Sequence, residues 1–152
     1  MNIDLALGAA IGGITGFVLA IPAIILETSR RVNNLPLILD VKTVWGKKLT
    51  DAEIFAVSLL LHLLVATGLG ALYVFAAQHS WLFTTKPYQL DSIMLFAVVG
   101  WALSGAIVYP ILGVGFFGRH EGKHIWFEML ITHLLLGFLF WLAVRYYQPF
   151  FF

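Results

Sequence analysis

Four long apolar stretches, separated by short polar ones, occupy most of the chain. They cover residues 5–26, between Asp4 and Glu27; 54–77, interrupted only by His62; 92–118, between Asp91 and Arg119; and 125–144, which carries Glu128 and His133. Each reaches or exceeds the roughly 20 residues a helix needs to cross a hydrocarbon layer. None shows the polar face that a helix of a water-soluble bundle must present. The pattern predicts an all-α integral membrane protein, a four-transmembrane-helix bundle. Its helices fall at about 5–27, 53–78, 91–117 and 124–146, in a single membrane domain covering 1–152, with one sizeable loop at 28–50. The first stretch lacks a basic n-region and is too long for a cleaved signal peptide, so it is expected to remain as a span.

Composition narrows the function classes. The chain is 61% hydrophobic and 11% charged, with a mean hydropathy of +0.92; soluble domains are about 25% charged. A net charge of +1, with its basic residues in loops rather than on one stripe, does not fit a nucleic-acid binder. The absence of cysteine excludes disulfides, covalent c-type haem attachment, thiolate zinc sites, iron–sulfur clusters and a cysteine nucleophile.

Charge also predicts orientation. The first loop holds Arg30, Arg31, Lys42, Lys47 and Lys48, and the third holds Arg119 and Lys123; the opposite side has Lys86 and Arg145. By the positive-inside rule, loops 28–50 and 119–123 are cytoplasmic and both termini lie outside. Trp81, Phe83 and Tyr88, with Tyr146, Tyr147 and Phe150 to Phe152, are placed to form the outer aromatic belt. Within the 28–50 loop, Leu35-Pro36-Leu37-Ile38-Leu39 is too short to span and too apolar to be solvated, so it is expected to lie at the interface.

The two halves of the chain are alike enough to read as a tandem repeat of helical hairpins. Gly12 precedes Pro22 at the spacing by which Gly100 precedes Pro110, and His62-Leu63-Leu64 is matched by His133-Leu134-Leu135. Gly8, Gly12 and Gly16 form a small-residue ridge, with a shorter one at Gly100 and Ser104, expected to seat helices inside the bundle. Pro22 and Pro110 are expected to kink their helices.

Two groups of residues are candidates for chemistry. His62 and His133 each lie eight positions into their spans, about 12 Å deep at 1.5 Å per residue. Ionisable groups at such depth are costly and usually face the bundle interior. Two imidazoles on diagonal helices can ligate one haem b iron axially, with Ala66, Gly70 and Gly137 leaving room for the macrocycle. The alternative is that each ring hydrogen-bonds across a helix interface to Ser58, Thr67, Thr132 or a backbone carbonyl.

The second group is His120-Glu121-Gly122-Lys123-His124, which matches the HExxH pattern of zinc hydrolases. That pattern works when two histidines one helical turn apart bind zinc and the glutamate activates water. Glu128 continues the spacing, making His120, His124 and Glu128 a candidate metal set. Gly122 weakens a helix there, and Gly113, Gly115 and Gly118 forecast a turn just before it. Glu128 alone is equally suited to the positive end of the helix dipole or to pairing with Arg119 or Lys123.

The segment Pro110-Ile-Leu-Gly113-Val-Gly115-Phe-Phe117-Gly118 and the two His-Leu-Leu helices resemble a group of small, uncharacterised four-helix bacterial membrane proteins. The resemblance covers roughly helices two to four. It implies the fold and places the histidines within the shared pattern, but supplies no activity.

Three functions stay open at this point. The first is a non-catalytic membrane subunit or accessory protein of a larger complex. The second is a small haem-b electron-transfer protein with His62 and His133 as axial ligands. The third is a metal-dependent membrane hydrolase using His120, Glu121 and His124. The expected partners are the lipid bilayer and other membrane subunits, in a bacterial or archaeal plasma membrane.

Overall fold

A computed structural model describes residues 3–28, 38–81 and 86–147. The order is α1 (Ile3–Thr28), a hairpin of β1 (Thr43–Val44) and β2 (Lys47–Lys48), α2 (Asp51–Gln78), α3 (Leu90–Leu112) and α4 (Ile125–Tyr147). All four helices are long and apolar enough to cross a membrane, and together they form a four-helix bundle. α1 packs closely on α2, α3 on α4, and α1 on α4, whereas α2 and α3 approach each other more loosely. α2 and α4 therefore stand diagonally opposed. Gln78 Nε2 donates to Asp4 Oδ2 at 2.8 Å, tying the end of α2 to the start of α1.

The glycine ridge of α1 is what brings α1 and α2 together. A Cβ at Gly12 would strike the Ala66 carbonyl oxygen, and one at Gly70 would strike the Gly8 carbonyl oxygen. With no side chains between them the two backbones touch, which is how small residues replace the missing hydrophobic drive between helices in lipid. Gly137 of α4 instead makes room for the Ala97 side chain, and Gly100 of α3 for the Leu69 side chain.

α2 starts at Asp51, two residues before the expected 53, for a local reason. Thr50 Oγ1 accepts from the Glu53 amide while Glu53 Oε2 accepts from the Thr50 amide at 2.8 Å, a reciprocal capping box. α3 ends at Leu112, five residues before the expected 117. Gly113 takes φ 85°, and the Val114 and Gly113 amides donate back to the Tyr109 and Pro110 carbonyls. That is a Schellman stop, which a left-handed glycine makes nearly free of strain. Pro22 sits within an unbroken α1. Pro110 has a larger effect: lacking an amide, it ends the regular ladder, and Ser104–Val108 widens into a π turn closed by the Tyr109 amide on the Ser104 carbonyl.

The first loop departs from expectation. Instead of lying at the interface, Ile38, Leu39 and Val41 are buried among the loop-side ends of the helices. Ile38 joins Ala20 and Ala23, while Leu39 and Val41 join Tyr109, Val114 and Met129. The Val41 amide donates to the buried Ser58 Oγ at 2.9 Å, which settles a backbone polar group that lipid could not. The hairpin that follows turns on Trp45 and Gly46, both left-handed, and the Trp45 indole donates to the Ile111 carbonyl at 2.9 Å. Loops one and three thus share one end of the bundle. Trp81 and Tyr146 are exposed, as a belt requires, but Tyr88 is half-buried edge-on to Tyr73. Arg30, Arg31, Leu35 to Leu37, Phe83 and Phe150 to Phe152 lie outside the described residues.

Candidate functional site

α2 and α4 deliver His62 and His133 to the bundle interior, where both line one cavity of about 30 Å³. Its wall is completed by Ser58, Tyr109, Thr132 and Met129, with Leu39 of the inserted segment. The expectation of two inward imidazoles on diagonal helices matches this placement.

Their hydrogen bonds differ. His62 Nε2 donates to the Gly16 carbonyl at 3.0 Å, across the α1–α2 seam. Gly16 lets the two helices come close at this level, since a Cβ on it would strike the Ala66 side chain. His133 Nδ1 donates to the Met129 carbonyl at 2.8 Å, one turn back on its own helix. A carbonyl only accepts, so each bonded nitrogen carries the proton and the two rings hold opposite tautomers. His133 Nε2 is then a buried lone pair with no partner among the described residues, on a side chain only 5% exposed. His133 also borders a second cavity of about 30 Å³ toward the other end of the bundle, lined by Gly12, Gly70, Tyr73, Ala97 and Gly137.

These dimensions do not suit haem. The shared space is that of one water molecule rather than a macrocycle, and the His62 Nε2 proton is committed to Gly16. Ala66, Gly70 and Gly137, expected to make room for a porphyrin, are spent on close helix packing instead.

The HExxH run is not helical. Residues 120–124 form turns, and α4 begins at Ile125. The one-turn register that would align His120 with His124 is therefore missing. His120 Nδ1 donates to the Gly113 carbonyl at 3.1 Å, and its ring packs against Gly115. His124 and Glu128 line a separate polar pocket of about 190 Å³ with Asp40, Lys42, Glu121 and Lys123, and His120 is not among its walls. Among the described residues, no group of three or more His, Cys, Asp or Glu is arranged to hold a metal.

Sequence reasoning offered Ser58 as a partner for the histidine rings, whereas its hydroxyl accepts from the Val41 amide, and it missed Tyr109 beside them. Ser58 carries a weak signal, as a hydroxyl one turn from His62 on an apolar helix. Tyr109 carries none, because its approach depends on the π turn before Pro110. Compared with protein-family models, curated proteins and solved structures, the chain has no match in any of the three.

Proposed function

We propose that the chain is a non-catalytic integral subunit or accessory protein of a larger membrane assembly. One observation carries this reading: the space between the helices beside the two histidines is small. The two cavities that His133 borders are each about 30 Å³, whereas small-molecule sites run from about 300 to 1,000 Å³. Among the described residues, the part between the helices is a two-residue-per-strand hairpin and short turns. What the protein offers a partner is its outer surface. There Gly68 of α2 faces outward with nothing within 4 Å of where a Cβ would sit. A glycine costs a helix about 1 kcal/mol relative to alanine, and seating a second protein's helix against it offsets that cost.

In this reading the inserted loop and residues 119–123 face the cytoplasm, both termini lie outside, and the host is a bacterial or archaeal plasma membrane. The support for the orientation is that seven of the nine lysines and arginines belong to these two loops.

The test is co-purification in a mild detergent, wild type beside Gly68→Trp. The wild type is expected to bring down a defined set of membrane proteins. The tryptophan variant should lose them while keeping its own thermal stability, since the bundle does not use that face. A wild-type chain that purifies alone under every mild condition overturns the reading.

A further inference from the structure

We propose that the tip of the β1–β2 hairpin is a lipid-binding anchor, with the Trp45 ring set into the boundary between headgroups and hydrocarbon. The first observation fixes the height of the tip. The Trp45 indole N–H donates to the Ile111 carbonyl at 2.9 Å, and Ile111 stands one residue inside the end of the apolar span Leu90–Leu112. The hairpin is therefore tied to α3 where that span leaves the hydrocarbon, the level at which tryptophan is favoured. A second contact holds it there: a Cβ on Gly113, the left-handed stop of α3, would lie 3.4 Å from the Trp45 amide nitrogen.

The second observation is the residue itself. Trp45 and Gly46 form a two-residue turn with φ of 48° and 81°, a geometry that Asn-Gly or Asp-Gly adopts with least strain. A tryptophan in the first place is not there for the core, because it is 78% exposed. Its N–H satisfies the Ile111 carbonyl, one of the last four of α3 and so without a helical partner. With that proton committed, what remains is a bare aromatic surface beside Ile111, itself 64% exposed. An apolar ring with a satisfied polar edge suits the membrane boundary better than water. Charge adds little. Within residues 40–53, Lys42, Lys47 and Lys48 are balanced by Asp40, Asp51 and Glu53, and Lys47 lies within electrostatic reach of Glu53. The anchor therefore rests on the ring and is indifferent to headgroup charge.

The purified chain in nanodiscs tests this, since lipid is then the only cover available. The fluorescence of Trp45 is the difference between wild type and Trp45→Phe. Phosphatidylcholine brominated near the headgroup should quench that difference more strongly than lipid brominated deep in the acyl chain, and acrylamide in the water should quench it weakly. Replacing phosphatidylcholine by phosphatidylglycerol, or adding salt, should change neither result. Hydroxyl-radical footprinting of the wild type needs no variant, and should leave the peptide carrying Trp45 largely unoxidised. A Trp45 signal quenched by acrylamide and not by brominated lipid overturns the proposal, as does heavy oxidation of that peptide. Protection that appears only in anionic lipid also overturns it, because charge and not the ring would then hold the hairpin.

Discussion

The α1–α2 seam makes a sharp prediction because one substitution should act with opposite signs at two glycines. At Gly12 an added methyl meets the Ala66 carbonyl oxygen and lies 3.1 Å from Gly70 Cα. Both are backbone atoms, so no rotamer change relieves the clash and the helices must move apart. Overpacking of this kind costs about 1–3 kcal/mol, of which better helix propensity returns up to about 1 kcal/mol. Gly12→Ala is therefore expected to lose about 1–2 kcal/mol. At Gly68 the same methyl meets nothing within 4 Å. Only the propensity gain remains, so Gly68→Ala in the isolated chain should be stabilised by up to about 1 kcal/mol. The assay is reversible unfolding in mixed micelles, followed by helical circular dichroism. A Gly12→Ala variant as stable as wild type, or a Gly68→Ala variant equally damaged, would refute the backbone-contact seam.

Further outcomes follow from the same contacts. Ser58→Ala strands the buried Val41 amide and should cost about 1–3 kcal/mol, with faster hydrogen exchange at Val41; unchanged exchange there would show that the loop segment is held by other means. Tyr73→Phe removes the bond to Ser92 Oγ at 3.0 Å and the one from the Tyr88 amide at 2.9 Å, lowering stability by about 1–2 kcal/mol; no measurable loss would contradict this. The chain has no cysteine, so single-cysteine variants report topology directly. Lys48→Cys should be labelled by an impermeant maleimide only after permeabilisation, and Lys86→Cys in intact cells; the reverse pattern would invert the orientation. Protein from haem-replete cells should be colourless, and a Soret band lost in both His62→Ala and His133→Ala would contradict the cavity dimensions.

The spans were legible in the sequence because lipid allows so few solutions: an apolar run of this length must satisfy its backbone internally. The Gly8–Gly12–Gly16 ridge was legible as a packing surface, although its partner, the Ala66–Gly70 face of α2, was not. The end of α3 was misread because an apolar run through Phe117 looks helical; the left-handed Gly113 decides the stop, and hydropathy does not register it. The inserted segment shows the same ambiguity. A short apolar run suits the interface or the interior equally, and the choice was made by Ser58, whose hydroxyl sits where the Val41 amide arrives. The inward histidines were foreseeable from the cost of burying them in lipid. Their partners were not, since these depend on which carbonyl, Gly16 or Met129, each ring can reach. The HExxH match was textual only. Chemistry there needs a helical turn, and Gly122 sits where the chain is instead making turns.

A membrane subunit should be found in company. The most direct measurement is the mass of the native particle excised from its own membrane with a polymer, without detergent. The account predicts a defined assembly heavier than the 16.9 kDa chain, containing at least one other polypeptide. A particle holding this chain alone, with lipid, would contradict it.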